Sequence, residues 1–242
     1  MTMAGKRFTA ALDQIDRQKN YPLNEALGLV KKFATDEATK HKFDETVEMH
    51  FRLGIDPRHS EQQVRSTVLL PAGLGKKVRV LVFAEGDDAR AAEAAGADIV
   101  ADDQIVNKIQ TEGWTDFDAT LATPAMMKKI GRIARVLGPR GLMPNPKAGT
   151  VVEADDLARA VEELKAGRVE FRNDKTGNVH VPIGKTSFTL EQLQQNAEAV
   201  FAAVEAQKPS AAKGVYMKRA VVCSTMSPGV RLELSSGSTS TK

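Results

Sequence analysis

Val78-Arg-Val-Leu-Val-Phe83 is apolar at every position but one. A strand with one wet face alternates apolar and polar side chains; a run like this belongs to a strand covered on both faces. Working outward, Ala84–Ala95 reads as an alanine-rich helix stopped by Gly96, and Ala97-Asp-Ile-Val100 as a short strand. Asp102–Gln110 reads as a helix and Phe117–Ala122 as a strand. Pro124 opens a basic helix ending near Leu137, and Ala154–Lys165 is a helix stopped by Gly167. Strand and helix alternate, which predicts an α/β unit with a parallel sheet.

The flanks differ. After a polar opening from Lys6 to Lys19, Leu23, Ala26, Leu27, Val30 and Phe33 recur at helical spacing. Val47, Met49, Phe51 and Leu53 alternate with Glu48, His50 and Arg52, a half-buried strand. Gly54-Ile-Asp-Pro57 ends it, and Val64–Leu70 reads as a second strand. Val169 and Phe171 lead into the turn Asn173–Asn178, and Val179, Val181 and Ile183 return from it, the pattern of a hairpin. Thr189 and Gln192 form a capping-box start for a helix whose apolar face is Leu190, Leu193, Ala197, Val200, Phe201 and Val204. Tyr216–Ser224 is a last strand, and the Ser/Thr-rich tail 235–242 reads as low-complexity chain without fixed structure. No internal repeat is visible. The economical architecture is a discontinuous α+β domain, 1–72 plus 166–242, with an α/β domain inserted at 73–165.

Charge is segregated. The chain carries net +3, divided as +1 over 1–72, −2 over 73–165 and +4 over 166–242. Ala119–Val152 is a 34-residue stretch without an acid, holding Lys128, Lys129, Arg132, Arg135, Arg140 and Lys147. It ends in Val136-Leu-Gly-Pro-Arg-Gly-Leu-Met-Pro-Asn-Pro-Lys147, where prolines fix φ and glycines permit turns. A stiff basic loop fed by a basic helix suits a polyanion, although a solvated basic turn would carry the same residues. A second acid-free window, Ala206–Leu232, holds Lys208, Lys213, Lys218, Arg219 and Arg231. The single cysteine, Cys223, excludes an intramolecular disulfide and a multi-cysteine metal site. No stretch is long enough to span a membrane and the N-terminus lacks an apolar signal core, so a cytoplasmic protein is expected.

Enzyme signals fail in turn. Gly73-Leu-Gly75-Lys76 lacks the Ser or Thr of a phosphate loop and precedes a strand instead of following one. The turn after Phe83, Ala84-Glu-Gly-Asp-Asp88, puts carboxylates where a pyrophosphate would sit. His41, His50 and His59 match no zinc spacing. Asp44, Glu45 and Glu48 read as solvated carboxylates flanking a strand, and no nucleophile elbow exists. Neither catalysis, metal nor cofactor is expected; the one enzyme alternative is a nucleotide-using activity on the inserted α/β unit.

Four segments carry a family resemblance: Lys42–Pro57, the loop Val136–Lys147, Phe171-Arg-Asn-Asp-Lys-Thr-Gly177 and Ser224-Thr-Met-Ser-Pro-Gly-Val230. In this order, and over nearly the whole chain except the tail, the sequence resembles the bacterial L-one family of the large ribosomal subunit. The resemblance implies a split α+β domain from both termini and an inserted Rossmann-like domain of three layers. It implies a monomer when free that binds 23S rRNA at the mobile stalk beside the E site, where deacylated tRNA leaves. It also implies repression of its own operon through an mRNA mimic of the rRNA site. A free regulatory RNA-binding protein using the same face, without residence on the ribosome, is the rival reading.

The same resemblance implies an RNA face made of Lys42, Phe43, Thr46, Lys175, Thr225, Met226 and Ser227. A folded RNA is read by shape, 2′-hydroxyls and phosphates, which suits short hydroxyl side chains and backbone amides. On pattern alone Phe43 would face inward at a strand start and Met226 would fill a core gap. Ser227 departs from the family's usual glycine, a residue that implies close backbone approach or a φ that a Cβ resists. The basic loop would lie in the inserted domain, as a secondary face or a shaper of the hinge.

Overall fold

Alternation in Val47–Leu53 dictates the first sheet, because it sends every second side chain to one side. The computed structural model describes residues 5–234. In chain order the regular elements begin with α1 (Lys6–Leu12), α2 (Leu23–Thr35), β1 (Thr46–Leu53) and β2 (Arg65–Leu69). There follow β3 (Val80–Phe83), α3 (Asp87–Ala94), β4 (Ile99–Ala101), α4 (Asp103–Glu112), β5 (Ala119–Ala122), α5 (Met127–Ile130), α6 (Ala134–Leu137) and α7 (Leu157–Ala166). The last are β6 (Arg168–Arg172), β7 (Asn178–Lys185), α8 (Leu190–Ala206), β8 (Met217–Ser224) and β9 (Val230–Arg231).

The chain divides into two compact units, one running up to Gly75 and resuming at Val169, the other Lys76–Arg168. Each boundary falls three residues beyond the one read from the sequence, for identifiable reasons. Asn196, fully buried on α8, accepts from the Ala72 N–H (2.9 Å) and donates to the Gly73 (2.9 Å) and Ile183 (2.7 Å) carbonyls. Gly75 has φ +72°, and a Cβ there would lie 2.6 Å from the Phe188 ring. Residues 73–75 are therefore held to the first unit. Arg168 is held to the second, donating to Glu163 (3.1 Å) and to the Ala148 carbonyl (3.3 Å).

In the first unit a four-stranded sheet has the order β7-β1-β8-β9, with β1 antiparallel to both β7 and β8. Val47, Met49, Phe51 and Leu53 point to one core with Val179, Val181, Ile183, Ala220 and Val222, covered by α2 and α8. Each of these side chains except that of Ala220 contributes roughly 1.5–3 kcal/mol of transfer free energy. The Thr189 hydroxyl accepts from the Gln192 N–H (3.2 Å) while the Gln192 side chain accepts from the Thr189 N–H (3.0 Å), which starts α8. The expected hairpin across residues 173–178 is reduced to its turn, in which the Asp174 N–H donates to the Asn178 carbonyl (2.7 Å) and Asn173 makes a single antiparallel bridge with Val179. β6 pairs with β2 in a separate two-stranded sheet, and β7 joins the larger one. Asn173 causes the parting: its N–H donates to the Val64 carbonyl (3.0 Å) and its Oδ1 accepts from the Val64 N–H (2.7 Å).

In the second unit the parallel sheet has the order β4-β3-β5. β3 is fully buried and feeds two cores. Leu81 and Phe83 pack with Val106, Ile109, Ile130, Ile133 and Leu137, whereas Val80 and Val82 pack with Ala92, Leu157, Val161 and Leu164. Helices thus cover both faces, as an uninterrupted apolar strand requires. The expected Pro124–Leu137 helix is segmented, with α5 and α6 separated by a 3-10 turn, Gly131–Ile133. No helix among the described residues is long and apolar enough to cross a membrane.

Candidate nucleic-acid interface

Antiparallel pairing brings the N-terminal end of β1 beside the C-terminal end of β8, Val47 opposite Ser224. That juxtaposition gathers Lys42, Phe43, Thr46, Thr225, Met226 and Ser227 from opposite ends of the sequence. Thr46 and Thr225 clasp each other: the Thr46 N–H donates to Thr225 Oγ1 (3.1 Å), and the Thr225 hydroxyl donates to the Thr46 carbonyl (3.4 Å). Beneath them lies Glu45, which is only 3% exposed. Its Oε2 accepts from the Ser224 hydroxyl (2.6 Å) and the Met226 N–H (3.0 Å). The expectation that Glu45 is merely solvated is wrong; a buried carboxylate satisfied by two donors sets the path of the 225–227 turn.

Two large apolar side chains stand out from this framework. Phe43 is 53% exposed and Met226 51%. Neither is a core residue, contrary to the inward reading that pattern alone suggests. The His41 ring stacks on Phe43 with centroids 6.1 Å apart and planes 16° from parallel. Asp44 anchors the same segment from the other side. Its carboxylate accepts from the Thr186 hydroxyl (2.9 Å), the Ser187 N–H (3.0 Å) and the Ser187 hydroxyl (2.8 Å). Burial works to raise the Asp44 pKa, but those hydrogen bonds together with Lys185 hold it below the ordinary carboxylate range.

Ser227 answers the question its departure from glycine raised. Among the described residues no non-glycine has a positive φ, so the backbone there is of an ordinary kind. Its hydroxyl turns inward, accepting from the Ser224 N–H (2.8 Å) and donating to the Pro228 carbonyl (3.2 Å).

Lys175 is not part of this group. Lys185 stands opposite Thr46, whereas Asn178 stands opposite Arg52, six residues further along β1. At about 3.3 Å per residue, the Lys175 turn lies roughly 20 Å away, at the other end of the sheet. That turn is organised by Asp174, which accepts from the Thr176 and Asn178 N–H groups (both 2.8 Å). Burial opposes ionisation, yet the donors of Asn178 and Thr176 drive the Asp174 pKa well down. At the Phe43 end the cation is Lys185, whose ammonium donates to Thr46 Oγ1 (2.8 Å). Sequence reading passed over Lys185, because only the strand register places it there.

The open face of the sheet, opposite its core, carries His50, His180 and Cys223. His50 Nδ1 lies 2.8 Å from His180 Nδ1, and His50 Nε2 lies 3.1 Å from Cys223 Sγ. Those contacts use opposite sides of one imidazole and do not converge on a metal. Burial lowers the His50 pKa and the His180 charge adds to the effect; burial, with Glu48 and Glu45, pushes the Cys223 thiol up to about 11.

In the second unit Lys128, Arg132, Arg135 and Arg140 are exposed. Lys129 is tied to Glu85 and to Asp103 (3.0 Å). Lys147 falls in the 3-10 turn Pro146–Ala148. The sheet order changes direction at β3, and the chain after β3 places Glu85 and Asp87 there, with Asp87 and Asp88 in the first turn of α3. Dinucleotide folds put phosphate at such a point; carboxylates would repel it.

Residues 30–228 match the model of the ribosomal protein L1p/L10e family. The chain is 55% identical to the large ribosomal subunit protein uL1 of Solibacter usitatus over 95% of its own length and 93% of that protein. It is also 55% identical to the proteins of that name from Chloroflexus aurantiacus, with 96% of each covered, and Chloroflexus aggregans, with 97% of each covered.

Proposed function

The chain belongs to the ribosomal protein L1p/L10e family, a structural and non-enzymatic one, and from that premise we propose that it binds 23S rRNA at the mobile stalk of the large subunit. There it assists release of deacylated tRNA beside the E site. In the cytoplasm, as a free monomer, it represses translation by binding its own operon mRNA. We take the two compact units as domains: a split α+β domain holding the principal RNA site, and an inserted Rossmann-like domain whose basic residues form a secondary face.

One observation carries the assignment of the site. Phe43 and Met226, each about half exposed, flank short hydroxyl side chains on a framework fixed from below by Glu45. An exposed aromatic offers a stacking platform, the Thr46 and Thr225 side chains offer compact polar contact, and Lys42 with Lys185 supplies positive charge. Lys175 contributes from the turn at the far end of the sheet. Purified protein titrated with a stalk-derived rRNA fragment should bind tightly, and the leader of its own operon mRNA should compete. Co-sedimentation with large subunits after a high-salt wash separates a ribosomal resident from a free regulator. Failure of both fragment binding and co-sedimentation would overturn the proposal.

A further inference from the structure

We propose that Lys128, Arg132 and Arg135 form a second, sequence-independent site for the phosphate backbone of double-stranded RNA. The inference rests on the reading of the chain as an rRNA-binding protein, but it concerns a different surface from the Phe43 face.

The helical run from α5 through the 3-10 turn to α6 buries Met126, Ile130, Ile133 and Leu137. Spacings of four, three and four put those residues on one side. Lys128, Arg132 and Arg135, at spacings of four and three, stand exposed on another side. None of the three has an ion pair among the described residues, whereas Lys76, Arg79, Arg90, Lys129, Arg159 and Lys165 of the same unit all meet carboxylates. Residues 73–165 carry a net −2, so carboxylates were available and the stripe lies apart from them. Three unpaired like charges repel one another and give nothing to folding. A polyanion relieves that repulsion.

Rigidity supports the same reading. The chain leaving α6 is pinned, the Leu142 carbonyl accepting from the Thr120 hydroxyl (2.6 Å) and the Thr150 hydroxyl accepting from the Asn145 N–H (2.7 Å). The cations themselves sit on a run anchored by the buried Met126, Ile130, Ile133 and Leu137. Two of the three are guanidinium groups, which meet phosphate oxygens through paired hydrogen bonds. Guanidinium groups can read a guanine edge, but the deep major groove of an RNA helix would not admit them; the backbone is what such a stripe can read there.

The test uses the full chain carrying Lys128→Gln, Arg132→Gln and Arg135→Gln together, against a 20-base-pair RNA duplex of unrelated sequence, a chosen probe length of about two turns, and against polyglutamate. Duplex affinity should fall at least tenfold, and the plot of log K against log salt should flatten by about two to three units. Arg132→Gln alone should flatten it by about one. The melting temperature should hold or rise slightly, because the side chains are solvated and their mutual repulsion is removed. An unchanged salt slope in the triple variant overturns the proposal, as does tighter binding of polyglutamate than of duplex. If the slope changes while the stalk fragment fails to bind and the protein fails to co-sediment with large subunits, this site stands and the proposed function falls.

Discussion

Phe43 and Met226 expose apolar surface to water, which favours neither folding nor solubility, so their value lies in what they cover. Phe43→Ala or Met226→Ala should weaken binding of a stalk rRNA fragment by roughly 1–3 kcal/mol, measured by titration at fixed salt. Thermal stability should change little, since neither side chain is in the core. A large drop in melting temperature with unchanged affinity would remove both from the interface. Ser227 acts differently, because its hydroxyl serves the turn. Ser227→Gly should cost about 0.5–1.5 kcal/mol of stability through the lost bond from the Ser224 N–H, while affinity stays within about 1 kcal/mol. Ser227→Val, with bulk and no hydroxyl, should cost clearly more of both. Equal affinity and stability for the valine variant and wild type would mean that the side chain matters to neither. The part Glu45 plays was illegible in the sequence because its partners Ser224 and Met226 lie about 180 positions away. A carboxylate beside a strand looks solvated until the pairing is known.

Strand identity and strand pairing differed in legibility. The alternation in β1 and the unbroken apolar run in β3 are local patterns, and both strands form where those patterns lie. Pairing is not local. The turn chemistry of Asn173–Asn178 suggested a hairpin, and the turn closes with one bridge from Asn173 to Val179, but Asn173 also bonds Val64, and β6 and β7 lie in different sheets. The register that put Lys185, and not Lys175, beside Thr46 was hidden for the same reason. Pairing also made the His50–His180 contact between β1 and β7. Burial and the neighbouring His180 favour neutral His50 in the folded state, so its folded pKa lies below the unfolded value of about 6.5. The unfolded chain then binds the proton first, so this contribution is present above about pH 6.5 and is lost as pH falls through the folded value. Glu48 opposes the shift without reversing it. Urea midpoints should therefore fall as pH drops below about 6.5, before ordinary carboxylates titrate. The fall should shrink in His50→Gln. An equal fall in the variant would assign the effect to other groups.

Across the whole molecule, a change in composition marks off the parallel-sheet segment, because a parallel sheet buried on both faces needs a different residue pattern from a half-wet antiparallel one. The boundaries were less legible, since they depend on Asn196, Phe188 and Arg168, whose contacts appear only on folding. The chain leaves the first unit after β2 and resumes it through β6, and these two strands are hydrogen-bonded neighbours. Arg65 and Glu170 form an ion pair between them. The exit and return points are thus held together by the first unit itself, and a short linker can replace Lys76–Arg168 without stretching either strand. Such a protein should fold cooperatively, retain affinity for the stalk rRNA fragment within about tenfold, and still weaken as salt rises, because Lys42 and Lys185 remain. Its binding to unrelated duplex RNA should fall to the level of the Lys128/Arg132/Arg135 variant, since the same cations are gone. A linker protein that folds but loses nearly all stalk binding would place the anchor in the second unit. The basic helix would then be the principal site, and the Phe43 face a secondary one.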